Sequence, residues 1–337
     1  MPDDPHPPTG AAQAWASTAV SVVNGFFGDT LRDQQNGLAI DMAFYDRNQP
    51  LPLTRQALLR VHPQPTGKLC VFLHGLACHE GVWTFPDPAD PARTTSYGAL
   101  LQADRGYAPL YLRYNTGLPI GVNGQRLATL LDELHASYPV PIDDLALIGH
   151  SMGGLVLRSA CYYGAEHQLP WVQQVSRVFY LGTPHDGADL ERLAHGATIT
   201  LQAVPNPITR IIGNFLNQRS QGVKDLRYGT LLAPDGTEGS SSGSTKQRRD
   251  VPWLAAAEHF LVAGTLTEDP EHVATVLFGD GLVALPRTTE APTPAQGRLP
   301  IPSNRVQVFP RVHHLKLTRD PDVYQQINAW CADTRQE

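Results

Sequence analysis

The feature that most constrains this sequence is a glycine-rich turn, GHSMGG, at positions 149–154. The apolar run LALI precedes it at 145–148, and a stretch of helical character follows it at 155–163. A continuous apolar run of this length is typical of a strand that is buried on both faces of a parallel sheet. The pattern therefore predicts a strand, a sharp turn and a helix, with Ser151 at the apex of the turn.

A serine in such a turn has the surroundings that a nucleophile needs. A strained turn at the end of a buried strand exposes the hydroxyl, and the flanking Gly149 and Gly153 let strand and helix approach closely. The helix after Ser151 directs its unpaired N–H groups and positive dipole end to the place where an oxyanion would form. The alternative is a phosphate-binding turn, but neither GxxxxGK[ST] nor GxGxxG follows any strand pattern in the sequence.

In this setting GHSMGG resembles the nucleophile turn of serine hydrolases of the α/β-hydrolase superfamily. It is similar to the form found in bacterial lipases and PGAP1-like esterases. The resemblance implies an α/β-hydrolase fold, which is a mostly parallel sheet with helices on both faces and a helical cap insertion. It also implies an oxyanion loop upstream of Ser151, and an acid and a histidine downstream in that order.

A second glycine turn lies where the resemblance places the oxyanion loop. The apolar run LCVFL at 69–73 predicts a buried strand, and HGL at 74–76 follows it directly. By resemblance, the backbone N–H groups of Leu76 and Met152 would form the oxyanion hole. Two such donors aimed at developing charge lower the barrier of acyl transfer substantially.

The resemblance assigns the acid to a loop after a late strand. Asp280 lies in FGDGLV, downstream of a strand predicted at 260–263, and this string is close to the lipase form of the triad acid. The acid would orient the imidazole and stabilise its charged form. Glu268 and Asp269 follow the same strand and are the rival acids.

The general base is predicted after the last strand, at 306–309. Histidine suits this role because its ordinary pKa lies near neutrality, so it can take a proton and return it. The family places an apolar residue after its histidine, which fits His314 followed by Leu315. We therefore prefer His314 to the adjacent His313.

The strand and helix patterns alternate as far as Ser151, which predicts parallel strands whose carboxyl ends gather at one edge of the sheet. A strand is predicted at 108–112 and an amphipathic helix at 121–138. The loop RYNTG at 113–117 also resembles PGAP1-like hydrolases, with no chemistry assigned beyond shaping the pocket. Two runs within 42–62 are predicted as edge strands, with a turn at 46–50 between them.

The predicted organisation is a hydrolase core with an insertion. Residues 1–40 form an N-terminal tail and packing helix, 41–187 and 256–337 form the core, and 188–255 form a cap that includes a flexible Ser/Gly-rich loop. Apolar residues at helical spacing within 208–216 give the cap an apolar stripe. The stripe covers the active site as a lid or buries itself on the core, and both interpretations stay open.

Charge and cysteine content limit the partners. A net charge of −6 without a basic run argues against nucleic acid as a partner. The four cysteines show no CxxC or metal-ligand spacing. Cys70 and Cys161 lie in apolar runs, which favours buried small hydrophobic residues, with a Cys70–Cys78 disulfide as the alternative. No cofactor and no metal are predicted, although a structural calcium ion near the acid or histidine loop stays open, as does the oligomeric state.

The amino-terminal residues bear on location. Residues 1–10 lack the positive segment of a secretory signal, which predicts a cytoplasmic protein. Residues 11–28 carry no charge, but polar residues dilute them too much for a membrane span. We read them as a helix that packs on the domain, with peripheral contact to a membrane surface as the alternative.

These features together predict a carboxylic ester hydrolase, either an esterase or a lipase, that acts through an acyl-serine intermediate on a small-molecule or lipid ester. The apolar stripe of the cap favours hydrophobic acyl groups. A thioesterase, amidase or acyltransferase with the same triad is the alternative among enzymes. A non-catalytic binding protein on the same fold is the alternative outside them, because fold alone does not decide function.

Overall fold

The computed structural model describes residues 9–185, 187, 220–233, 251–265, 267–268 and 301–332. Several predicted features lie outside the described residues: Asp280, its rival Asp269, the 208–216 stripe and the Ser/Gly-rich loop at 239–244.

A mostly parallel sheet of eight strands organises the described residues, in the order β10-β9-β8-β7-β3-β6-β1-β2. The neighbours from β10 to β6 pair in parallel, whereas β1 pairs antiparallel with both β6 and β2. Strands β4 and β5 form a separate antiparallel pair. The strands are β1 (Ala43–Asp46), β2 (Gln49–Pro50), β3 (Lys68–Leu73), β4 (Thr84–Pro86), β5 (Thr94–Ser96), β6 (Ala108–Arg113), β7 (Asp144–His150), β8 (Val175–Leu181), β9 (Glu258–Gly264) and β10 (Val306–Phe309).

Helices pack on both faces of this sheet. Within the described residues they are α1 (Thr9–Asp33), α2 (Arg55–Val61), α3 (Tyr97–Arg105), α4 (Ile120–Ser137), α5 (Met152–Glu166), α6 (Gln221–Tyr228) and α7 (Pro321–Ala332). Alternate residues of β3 show the two faces, because side chains along a strand point to opposite sides. Leu69 and Val71 pack with α4 and α5, whereas Cys70 and Phe72 pack with α3 and α7.

The register of the parallel strands gathers several loops at one edge. Leu73 of β3 pairs with Gly149 of β7, and His150 pairs with Leu181 of β8. Phe309 at the end of β10 pairs with Gly264 at the end of β9. The loops that follow β3, β7, β8, β9 and β10 therefore leave the sheet on the same side, where open α/β sheets bind ligands.

The second predicted edge strand within 42–62 is wrong. The run that follows β2 forms α2 instead, because Thr54 caps it by accepting a hydrogen bond from the Ala57 amide at 3.2 Å and Leu58 is fully buried. The first run does form a strand, and it turns through Arg47 and Asn48, whose φ angles of 45° and 66° make a tight hairpin to β2.

Helix α1 packs against the loop that follows β3, at the edge of the sheet where the parallel strands end. The buried Asn24 side chain donates to the Leu38 carbonyl at 2.7 Å and accepts from the Ile40 amide at 2.9 Å, which ties the helix to the segment after it. A Cβ placed on Gly25 would lie 2.9 Å from the Cβ of Ala77, so helix and loop are in close contact. None of the helices in the described part of the chain is long and apolar enough to cross a membrane.

All four cysteines are free thiols. Cys70 lies in the middle of β3 and Cys161 in α5, and both are buried, as expected for small hydrophobic residues. Because Cys78 is also a free thiol, the alternative of a Cys70–Cys78 disulfide is not what the structure shows.

Candidate active site

Ser151 stands in a strained turn between β7 and α5. Its φ of 54° and ψ of −124° lie in a region that residues with a side chain rarely adopt. The turn is held in place because the Ser151 amide donates to the Leu181 carbonyl at 2.8 Å, at the end of the neighbouring strand. Its side chain makes no capping hydrogen bond to α5, so the hydroxyl is not used by the helix.

The glycines around Ser151 are required by space. A Cβ on Gly149 would lie 2.6 Å from the Gly154 amide nitrogen, and one on Gly153 would lie 2.6 Å from the His74 carbonyl oxygen. A Cβ on Gly154 would lie 2.1 Å from the Thr183 hydroxyl oxygen. The contact of Gly149 with Gly154 is the close approach of strand and helix that the sequence predicted, and the turn also packs directly against the loops that follow β3 and β8.

His314 lies beside this turn at the start of a short 3-10 helix, His314–Thr318. It is 4% exposed, and a Cβ on Gly182 would lie 2.9 Å from its Nδ1 atom. Gly182 follows Leu181, the residue whose carbonyl receives the Ser151 amide. The His314 ring also packs 4.6 Å from the ring of His150, the residue before the serine. The structure therefore brings His314 and the serine turn together.

Two long-range contacts fix the segment that carries His314. The buried Tyr97 hydroxyl donates to the carbonyls of Leu317, at 3.1 Å, and Asp320, at 2.7 Å. The Thr318 hydroxyl donates to the Val82 carbonyl at 3.0 Å. Val82 lies in the segment between β3 and α3, and Tyr97 is the first residue of α3. These hydrogen bonds therefore hold that segment, the start of α3 and the His314 turn in fixed positions relative to one another.

The loop after β3 approaches Ser151 from the other side. A Cβ on Gly75 would lie 3.0 Å from the Cβ of Ser151, so only a glycine lets the backbone come so near. Leu76 follows it, and Ala77 then adopts a positive φ of 58°. Met152 begins α5, so its N–H is one of the groups that a helix leaves without an intrahelical partner. Leu76 and Met152 thus lie on the two backbone segments that adjoin Ser151.

Thr116 holds the strained part of this loop. Its hydroxyl accepts a hydrogen bond from the Ala77 amide at 3.1 Å, and both residues are buried. The neighbouring Asn115 side chain donates to the Gly28 carbonyl of α1 at 2.9 Å. Sequence reasoning gave the RYNTG loop no role beyond shaping the pocket, and the polar pair inside it was the signal that could have indicated this support.

His74 is locked in the neutral state beneath the same loop. Its Nδ1 atom donates to the Gly75 carbonyl at 3.0 Å, and its ring stacks 4.5 Å from that of Tyr114. Complete burial lowers the pKa of His74 to about 4, although the hydrogen bond to Gly75 opposes this shift. His74 is therefore a structural imidazole at neutral pH.

The alternative candidates for the base and the acid lie in surroundings different from those of His314. His313 is exposed, in contrast to the buried His314 next to it. Glu268, the rival acid within the described residues, is 70% exposed and forms an ion pair with Arg311. Asp280 lies outside the described residues, so its assignment stays a prediction.

The described residues contain no group of three or more His, Cys, Asp or Glu side chains that could hold a metal ion.

The sequence matches the alpha/beta hydrolase family over residues 70–326, which is more than half of the chain. Comparison with curated proteins gave no match.

Solved structures of several hydrolases resemble this chain at low sequence identity. The mature lipase BlEst2 of Bacillus licheniformis is 20% identical, with 80% of this chain and 94% of that chain covered and a TM-score of 0.49. The esterase Pf2001 of Pyrococcus furiosus is 13% identical, with 79% and 81% covered and a TM-score of 0.43. A thermophilic esterase from Thermogutta terrifontis is 15% identical, with 79% and 89% covered and a TM-score of 0.40.

The family match extends from the middle of β3 into α7 and so includes the serine turn, the loop after β3 and the His314 turn. The parallel sheet in the described residues, with helices on both faces, is the fold that the sequence predicted. This chain belongs to the alpha/beta hydrolase family.

Proposed function

We propose that the protein is a serine hydrolase that cleaves carboxylic esters through an acyl-serine intermediate. The observation that carries the proposal is the backbone of Ser151, which holds a non-glycine residue at a φ of 54° between a parallel strand and a helix. Strain of this kind costs about 1–3 kcal/mol and is concentrated at functional sites. Here it keeps the hydroxyl away from the helix that it precedes, as a nucleophile requires.

Each step of the reaction has a candidate group. His314 takes the proton of the Ser151 hydroxyl while that oxygen attacks the ester carbonyl, and it then gives the proton to the departing alcohol. The N–H groups of Leu76 and Met152 hold the negative oxygen of the tetrahedral intermediate. Water repeats the sequence on the acyl-serine and restores the enzyme. Asp280 is the proposed acid that orients the imidazole.

The burial of His314 supports its choice over His313. A general base must be held in one orientation near the nucleophile, and His314 is fixed by its neighbours, whereas His313 is exposed to solvent. Glu268 is a poor candidate acid because it already pairs with Arg311 at an exposed position.

The proposed substrate is a small-molecule or lipid ester with a hydrophobic acyl group. GHSMGG, LGTPHDG at 181–187 and GDGLV at 279–283 support a place among bacterial lipases and PGAP1-like hydrolases. The preference for hydrophobic acyl groups rests on the apolar stripe predicted at 208–216.

Hydrolysis of p-nitrophenyl esters of graded acyl length tests the proposal. We expect turnover by the wild type, and a loss of about 10⁴- to 10⁶-fold in kcat for Ser151→Ala and His314→Ala. His313→Ala is the matched control, because it removes an adjacent imidazole that is exposed, and it should retain turnover. Asp280→Asn should lower kcat by about 10⁴-fold. Turnover by Ser151→Ala at the wild-type rate would exclude the proposed nucleophile.

A fluorophosphonate probe gives a second readout that does not depend on finding the right ester. We expect covalent labelling of the wild type at Ser151, and none in Ser151→Ala. Absence of labelling in the folded wild type would favour a binding protein on a hydrolase fold.

A further inference from the structure

His150, the residue before the proposed nucleophile, is buried at the meeting point of three parts of the site. It is 1% exposed, and its Nε2 atom lies 3.0 Å from the His314 carbonyl oxygen. Its ring packs 4.6 Å from the His314 ring, and the Trp83 ring meets it edge-on at 6.4 Å. A Cβ on Gly75 would lie 3.2 Å from its Nδ1 atom. One imidazole thus contacts the serine turn, the His314 turn and the loop after β3.

The direction of the His150 hydrogen bond follows from its partner. A carbonyl oxygen only accepts, so Nε2 of His150 carries the proton and donates a hydrogen bond to the His314 carbonyl oxygen. The Nδ1 atom is buried and makes no hydrogen bond within the described residues. Burial lowers the pKa of His150 well below its ordinary value, and the imidazoles of His314 and His74 lower it further. The ring is therefore neutral, with one proton in a fixed place.

A neutral ring with its proton on Nε2 cannot also serve as the base. Nε2 donates its proton in the hydrogen bond to the His314 carbonyl, and Nδ1 faces the Cα of Gly75, where a Cβ would lie only 3.2 Å away. The hydrogen bond instead fixes the backbone of His314 at the residue whose side chain must reach Ser151. Because His150 is covalently joined to Ser151, this bond links the backbone of the serine turn to the backbone of the proposed base.

We propose that His150 is a positioning residue that sets the distance between Ser151 and His314 through its hydrogen bond to the His314 carbonyl. The inference rests on the proposed function, because it assigns His314 as the base. It predicts that the donor at Nε2 is needed for turnover more than for substrate binding. A displacement of about 1 Å between reacting groups can lower a rate by about 100-fold, and the His150 bond controls a distance of this kind.

Two variants of His150 separate the donor from the ring. His150→Phe keeps a planar ring and removes the donor, so the buried His314 carbonyl loses its partner. We expect kcat for a p-nitrophenyl ester to fall by about 10- to 100-fold, with KM changed by less than about threefold. His150→Gln places an amide nitrogen at the reach of Nε2 and should restore kcat to within about fivefold of wild type.

His259 provides the matched control. It is also a buried histidine, 7% exposed, and its Nε2 atom donates to a backbone carbonyl, that of Leu254, at 2.9 Å. Within the described residues its ring packs on Tyr180 and Trp253, not on His314. His259→Phe removes the same kind of bond, together with the one that Nδ1 accepts from the Tyr180 hydroxyl at 3.1 Å. It should lower thermal stability while leaving kcat near that of the wild type.

The outcomes separate this inference from the proposed function. Equal kcat for His150→Phe and wild type overturns the positioning role, as does an equal loss in His150→Phe and His150→Gln. If His259→Phe loses as much kcat as His150→Phe, the effect comes from general destabilisation, and the positioning role is also overturned. If the wild type shows no turnover, or if its turnover is not lost in Ser151→Ala, the proposed function itself is overturned. The positioning role then fails with it.

Discussion

The Ala77 amide donates to the Thr116 hydroxyl at 3.1 Å, and this buried bond joins the loop after β3 to the loop after β6. Ala77 has a positive φ, so its conformation is unfavourable for a residue with a side chain and needs external support. The adjacent Leu76 amide is the proposed oxyanion donor. The direction of the Leu76 N–H therefore depends on Thr116, which belongs to the loop after β6.

Thr116→Val should lower turnover with a smaller effect on substrate affinity. The valine has nearly the same shape but cannot accept the Ala77 N–H, and leaving that amide unpaired costs about 1–3 kcal/mol of stability. We expect kcat for a p-nitrophenyl ester to fall by about 10- to 100-fold through misplacement of the Leu76 amide. Thr116→Ser keeps the hydroxyl and serves as control. Equal activity of the valine and wild-type proteins would show that the bond does not support the site.

Gly153→Ala should disrupt the serine turn. The new Cβ would lie 2.6 Å from the His74 carbonyl oxygen and 2.7 Å from that of Leu73, and backbone atoms cannot move aside cheaply. We expect a loss of about 1–3 kcal/mol of stability in urea unfolding, together with lower fluorophosphonate labelling. Gly37→Ala is the control, because its Cβ meets no atom within 4 Å, and it should stay within about 1 kcal/mol of wild type. Similar losses in both variants would contradict the packing argument.

Asn24→Ala should show whether α1 supports the site. The fully buried side chain links α1 to the Leu38 carbonyl and the Ile40 amide, and losing these bonds should cost about 1–3 kcal/mol. Because α1 contacts Ala77, ester turnover should also fall at temperatures below unfolding. Asn36→Ala removes an exposed bond to the Leu38 amide and is the control, with turnover expected to be unchanged. Full turnover by folded Asn24→Ala would make the contact with Ala77 irrelevant to the reaction.

Stability should fall as the pH drops from about 6.5 towards 4. Burial lowers the pKa of His74 and of His259 from 6.5 to about 4, so both are neutral when folded. Between these two values the unfolded chain binds more protons, and the free energy of unfolding therefore decreases with falling pH. The loss for each histidine is roughly 2 kcal/mol by about pH 5. Urea unfolding at pH 7 and pH 5 measures it, and His259→Gln should reduce the difference. Equal stability at the two pH values would contradict neutral burial.

The serine turn could be predicted from sequence because its determinants are local. A buried parallel strand is a continuous apolar run, and the spacing of Gly149, Ser151 and Gly153 leaves few other conformations for the residues between. The predictions of the strand at 306–309 and of His314 as the base depend on equally short patterns. In the structure His314 is buried and His313 is exposed.

The supporting residues could not be predicted in this way. Thr116 and His150 bond to residues 39 and 164 positions away, and Asn24 to residues 14 and 16 positions away. Nothing in the immediate neighbours of these three residues indicates those partners. The run that forms α2 is equally compatible with a strand because a short apolar run fits either structure, and the Thr54 cap favours the helix.

The contact of Tyr97 with the carbonyls of Leu317 and Asp320 joins positions that are 220 and 223 residues apart in the chain. Contacts of such separation form late, because a long loop must close before they contribute. A nascent chain that has already emerged beyond Ser151 therefore still lacks the anchored His314 turn. The proposed reactivity of Ser151 should therefore arise only in the last stage of folding, after the rest of the sheet has assembled.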